Sequence, residues 1–201
     1  MNEQLPISKR RNHPKYLVLA LTLALAACEV VNAQENIQSK IPAVGDKAPD
    51  FTLQALDGQS MTLSKLTADS PVVLVVLRGY PGYQCPICSA QVGNLVSRSK
   101  DISDVGARVV FVYPGPGEKL SDRATEFLKA KSLPDHFAMV TDPDYTFAGA
   151  YGLRWDAPRE TAYPSTFVVD RQGTVRYAKV SKTHGGRANA AEIVKALGDS
   201  K

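Results

Sequence analysis

Cysteine is scarce in this chain, with three in 201 residues, at positions 28, 85 and 88. That scarcity excludes a small domain stapled by several disulfides. Long apolar runs are lacking too: the stretch from Tyr16 to Ala27 falls short of the ~20 residues that a bilayer-spanning helix needs. There is no glycine-rich phosphate loop and no flavin pattern, so any electrons the chain moves are supplied from outside, and no cofactor is expected. Basic residues form no stripe with interleaved aromatics, which argues against nucleic acid. Internal repeats and low-complexity tracts are also missing. Charge is nearly balanced: 24 basic and 20 acidic residues give +4, and Lys9, Arg10, Arg11 and Lys15 supply most of the excess. Beyond position 27 the count is 20 basic against 19 acidic.

The N-terminus reads as a targeting segment. A basic start precedes the apolar run, which suits the core of an export signal. The run ends Leu25-Ala26-Ala27-Cys28, which resembles the lipobox of bacterial lipoproteins. That resemblance implies cleavage before Cys28, lipidation of its sulfur, and a periplasm-facing anchor in the cell envelope. The alternative is a cut after Val31-Asn32-Ala33, releasing a soluble periplasmic protein. Residues 1–27 are thus expected as signal and 28–40 as a polar tether, leaving 42–198 as one domain of adequate size for a core.

With Cys28 assigned to the anchor, Cys85-Pro86-Ile87-Cys88 is the sole thiol pair. The run Pro71 to Leu77 is short, apolar and β-branched, as in a buried strand. Arg78 to Gln84 is turn material, and Val92, Leu95 and Val96 then follow helical spacing. Cys85 therefore falls at a helix start, with Pro86 at the first helical position. Free N–H groups and the positive helix end favour a thiolate there, and Cys88 lies one turn on. A bridge across so short a loop stabilises little, so stapling explains the pair poorly; redox chemistry and metal binding remain.

The rest of the chain alternates. Pro42 to Leu66 reads as a hairpin around Asp57-Gly58, and a helix is expected at about 86–100. A strand is expected at 108–113 and a helix from a Ser121 cap to about Lys131. A strand follows at 138–141, then a brief helix over 144–150 opened by Asp142-Pro143. A hairpin pairs 164–170 with 174–178, and a helix closes the chain at 188–197. This predicts an α/β fold, a three-layer sandwich on a mixed sheet.

Three segments carry a family resemblance: Asp46 to Leu53, the strand–Cys-x-x-Cys–helix unit, and Tyr163 to Asp170 with Gly173. Together they resemble the redoxin, or AhpC/TSA peroxiredoxin-like, branch of the thioredoxin fold over essentially all of 42–198. The branch includes peroxiredoxins and membrane-tethered thiol–disulfide oxidoreductases. Typical peroxiredoxins present Pro-x-x-x-Thr/Ser-x-x-Cys, with an arginine from a distant strand beside the sulfur. Here Pro81 stands four before Cys85, Gly82 stands three before it, and Pro164 occupies the arginine's place. These departures favour a thiol–disulfide oxidoreductase over a peroxidase and make Pro164 the expected cis-proline facing the dithiol.

On that reading Cys85 attacks a disulfide, or less efficiently a small hydroperoxide, Cys88 closes a Cys85–Cys88 bridge, and a separate thiol donor restores it. Arg78 is a candidate for lowering the Cys85 pKa, and Tyr80, Tyr83 and Trp155 for framing the site. Arg154 and Arg159 are fallback candidates for the absent arginine. His136 and His184 bear on a minor alternative, a copper chaperone, because two thiolates and a histidine suit Cu(I). No metal is otherwise expected.

Overall fold

Strand β3, Val72–Val76, is fully buried along its whole length, and the remaining elements are arranged around it. The computed structural model describes residues 40–129 and 131–199, together with Met1. Cys28 and the residues expected as signal and tether, 2–39, lie outside the described residues.

β1 (Thr52–Ala55) and β2 (Ser60–Thr62) pair antiparallel. Their turn is held by the Asp57 carboxylate, which accepts from the Gln59 amide at 2.9 Å, and by Gly58 at φ +86°. The hairpin ends sooner than the sequence suggests, because Leu63–Asp69 is helical (α1). Asp50 drives this change: its carboxylate accepts from the Ser64 amide at 2.9 Å and the Ser64 hydroxyl at 2.7 Å, satisfying the first turn. After β3 come α2 (Pro86–Ser97), α3 (Ser99–Asp104) and β4 (Arg108–Gly115). They are followed by α4 (Leu120–Leu128), β5 (Phe137–Pro143) and α5 (Thr146–Ala150). β6 (Ser165–Val169), β7 (Val175–Val180) and α6 (Ala190–Gly198) complete the described elements.

The sheet runs β2-β1-β5-β4-β3-β6-β7. β3, β4 and β5 are mutually parallel and the other pairings antiparallel, so the sheet is mixed. Alternation along β3 divides the core in two. Val73, Val75 and Leu77 pack with Cys85, Cys88, Val92 and Leu95 around α2, with Leu120 and Phe127 of α4, and with Ile193 and Leu197 of α6. Val72, Leu74 and Val76 face Leu63 of α1, Phe147 and Ala148 of α5, and Phe167 and Val169 of β6. The result is the expected three-layer α/β sandwich.

Helix starts are specified locally, not always by the residue the pattern suggests. Ser121 lies inside α4, whose cap position is Lys119 at φ +56° with no side-chain cap. The buried Asp142 carboxylate accepts from the Phe147 and Ala148 amides at 2.8 and 2.9 Å, so it does open α5. α6 carries a reciprocal pair in which Asn189 accepts from the Glu192 amide and Glu192 accepts from the Asn189 amide.

Candidate active site

Cys85 sits at the N-cap of α2 with Pro86 at the first helical position. Its sulfur accepts the Cys88 backbone N–H at 3.3 Å, replacing the oxygen that usually satisfies a first-turn amide. Both cysteines are unbridged and buried, Cys85 at 3% exposure and Cys88 at 0%. The chain reaches them from β3 through a bend at Gly79, whose φ is +69°. A side-chain carbon there would lie 1.9 Å from the Pro114 carbonyl oxygen, so only glycine fits. The next amide, Tyr80, donates to that same oxygen at 2.9 Å, registering the thiol loop against β4.

The two sulfurs are unlike. The hydrogen bond from Cys88 is the main cause that brings the Cys85 thiol down to about 5, against its burial; the Cys88 amide and the charges of Arg187 and Arg78 reinforce it. Burial, with the thiolate next door, pushes Cys88 well above the usual thiol range. The shared hydrogen bond and the unequal burial thus push the two thiols in opposite directions, Cys85 down and Cys88 up.

Arg78 is no solvated strand-end charge. Its side chain is 4% exposed, and its Nε donates to Glu160 at 2.5 Å. Its Nη1 donates to the Tyr83 hydroxyl and its Nη2 to the Arg159 carbonyl, both at 2.6 Å. Tyr83 and Ile87 flank Cys85 in sequence and are among the few large apolar side chains left exposed in the described residues. Tyr80 lies under the Arg123 guanidinium, 5.1 Å from its ring centre. Trp155 stacks on Tyr163 at 4.8 Å and sits 5.3 Å from the His184 ring.

Several expectations are corrected here. The Tyr163–Pro164 bond is trans, as are all peptide bonds among the described residues. Pro164 leads directly into the Ser165–Val180 pairing of β6 with β7, and its carbonyl accepts the Ser181 amide at 2.8 Å; the extended chain needs no reversal there. Arg154 is spent on the Trp155 and Thr161 carbonyls and on the Tyr145 ring. Arg159 contributes its carbonyl, from a left-handed backbone at φ +62°. His136 bonds the Ser99 carbonyl and His184 the Glu160 carboxylate, so neither imidazole joins the sulfurs.

The guanidinium at the dithiol belongs to Arg187, which sequence reasoning missed. From the loop before α6, its Nη1 donates to the Cys88 sulfur at 3.3 Å and to Gln91 Oε1 at 3.0 Å. Gln84 and Tyr113 complete the surroundings: the Tyr113 hydroxyl donates to Gln84 Oε1 at 2.7 Å, and Gln84 Nε2 to the Arg123 carbonyl at 2.9 Å.

Residues 44–178 match the model of the AhpC/TSA family. The chain belongs to that family. This AhpC/TSA protein is 34% identical over 140 residues to "Putative peroxiredoxin" of Mycobacterium tuberculosis, covering 67% of this chain and 83% of the relative. It is 26% identical over 137 residues to a thiol peroxidase of Listeria innocua, covering 68% and 76%. Among solved structures, peroxidoxin BcpB of Mycobacterium tuberculosis superposes with a TM-score of 0.65 at 22% identity, over 80% of this chain and 99% of that one. Reduced Prx3 of Vibrio vulnificus gives 0.65 at 22% identity, over 77% and 98%. The fold is thioredoxin-like, and the AhpC/TSA protein is a thiol-dependent oxidoreductase. Membership also exposes a signal in the sequence. Counted from Cys88, Pro81 stands seven residues before, as in Pro-x-x-x-Thr/Ser-x-x-Cys, and Cys85 takes the place of the hydroxyl residue.

Proposed function

We propose that the protein is a peroxiredoxin-like thiol peroxidase that reduces small hydroperoxides with the Cys85–Cys88 pair. The observation that carries this reading is the Cys85 sulfur at the start of α2, accepting the Cys88 amide and held as thiolate near neutral pH. The thiolate attacks the terminal peroxide oxygen, the O–O bond breaks, Cys85 becomes a sulfenic acid, and the departing alkoxide takes a proton from solvent water to leave as alcohol. The Cys88 thiol then attacks that sulfur, forming the disulfide and releasing water. An external dithiol returns the two electrons. Family membership supports peroxide over protein disulfides as the oxidant.

A second assignment has its own observation. Arg187 beside Cys88, with the Pro81 spacing, favours Cys88 as the attacking sulfur. Consumption of hydrogen peroxide and cumene hydroperoxide, with dithiothreitol as reductant, separates these readings in the parent, Cys85→Ser and Cys88→Ser. Loss in Cys85→Ser with a trapped sulfenic acid in Cys88→Ser is expected. The opposite pattern moves the attack to Cys88. Parent-like rates in both variants, or insulin reduction without peroxide turnover, overturn the peroxidase reading.

We also propose that the protein is exported and held to the envelope by lipid on Cys28, on the strength of Leu25-Ala26-Ala27-Cys28. Mass spectrometry of the mature N-terminus tests this; an unmodified Gln34 start ends the lipid anchor and leaves an exported, soluble protein.

A further inference from the structure

The arginine on Cys88 is held in place from a distance. Arg187 ends an exposed crest, Lys182 to Gly186, between β7 and α6. Its Nε donates to the His184 carbonyl at 2.9 Å, so the main chain at His184 sets where the guanidinium points. The His184 ring bonds Glu160 Oε1 at 2.9 Å, and Glu160 is gripped by the buried Arg78. A continuous path therefore runs from Arg78 through Glu160, His184 and Arg187 to the Cys88 sulfur. It crosses three segments that are far apart in sequence. Around His184 stand the Trp155 ring and Lys182, the latter over the Tyr163 ring at 4.3 Å.

The guanidinium is only partly engaged. Its Nη2 is buried with no hydrogen-bond partner among the described residues, an arrangement that costs free energy and lasts only where neighbours impose it. Nη1 and Nε supply that imposition, and both depend on the crest staying docked.

We propose that His184 is a positioning residue for the dithiol: by docking on Glu160 it keeps the Arg187 guanidinium against the Cys88 sulfur, and so keeps a positive charge beside the thiol pair. The proposal rests on the reading of Cys85 and Cys88 as the reacting pair. Its test omits hydroperoxide, so its failure is separable from failure of the peroxidase reading.

The experiment follows iodoacetamide labelling of the reduced protein against pH, with mass spectrometry assigning the label to Cys85 or Cys88. It compares the parent, His184→Ala, His184→Gln, Arg187→Gln and the double variant His184→Ala with Arg187→Gln. Loss of a nearby cation raises a thiol midpoint by about one pH unit, and that rise is expected for both His184→Ala and Arg187→Gln. The double variant is expected to shift no further than Arg187→Gln alone, because both act through one contact. His184→Gln, whose amide can still donate to Glu160, is expected to restore most of the parent midpoint. A parent-like midpoint in His184→Ala, fully additive shifts in the double variant, or no shift in Arg187→Gln would each overturn the proposal. His184 is exposed, so the fold is expected to survive each change at that position.

Discussion

Glu160 meets the Arg78 guanidinium at 2.5 Å where both side chains are almost closed to water, 11% and 4% exposed. Burial opposes the carboxylate, but hydrogen bonds from Arg78 and His184 outweigh it and hold Glu160 below the usual carboxyl range. Glu160→Ala leaves a buried guanidinium without its counter-charge, and the expected cost is about 3–5 kcal/mol by urea unfolding. A loss under about 1 kcal/mol, the range of exposed pairs, would refute a structural role. The pH arm has a definite sign. A depressed carboxyl stabilises above its unfolded value of about 4.3, and that contribution disappears as pH falls through the folded value. The deficit of Glu160→Gln against the parent should therefore narrow on acidification.

The thiol pair makes a separate pH prediction. Folded Cys85 ionises near pH 5, whereas an unfolded cysteine does so near about 8.5. Between those values the unfolded chain binds one more proton, so stability of the reduced protein rises with pH. Above about 8.5 the unfolded chain releases both thiol protons while folded Cys88 keeps its own, and the gain declines. The stability difference between reduced and Cys85–Cys88-oxidised protein should thus peak near that pH. A flat difference from pH 5 to 9 would contradict the assignment of one thiolate to the pair.

Gly79→Ala should destabilise by at least about 2 kcal/mol, since it combines a left-handed backbone with a collision against the Pro114 carbonyl. Because Gly79 leads into the thiol loop, the variant should also lose the acid midpoint of Cys85 alkylation. Chemical unfolding and labelling measured together check both effects, and a change in only one would uncouple the bend from the site.

Asn189→Ala removes the α6 cap and should cost about 1 kcal/mol, with Asn189→Ser recovering most of it. Thermal unfolding reads this directly. Equal losses for Ala and Ser would show that the carboxamide oxygen is not what stabilises the helix start.

How far the sequence could be read depended on the range of each interaction. β3, the Asp57-Gly58 turn and the Cys85 helix start are local patterns, and each appears where the apolar runs and turn residues place it. α1 escaped because its start depends on Asp50, 14 residues before Ser64. Arg187 escaped for the same reason on a larger scale, being 99 residues from Cys88; no periodicity joins them. The cis-proline expected at Pro164 rests on family resemblance alone, and the peptide bond there is trans. The Pro81 spacing was legible throughout, but only to a count taken from the second cysteine.

Full burial of β3, with β4 on one side and β6 on the other, also fixes a hierarchy of motion. Amides within Val72–Val76 should exchange with solvent only when the whole domain unfolds, whereas those of the thiol loop open far more often. The reactive sulfurs are joined to this fully buried strand by a loop that is exposed at Gly82 and Tyr83. Repeated oxidation and reduction can therefore rearrange the loop and the first turn of α2 without loosening the scaffold that re-forms them.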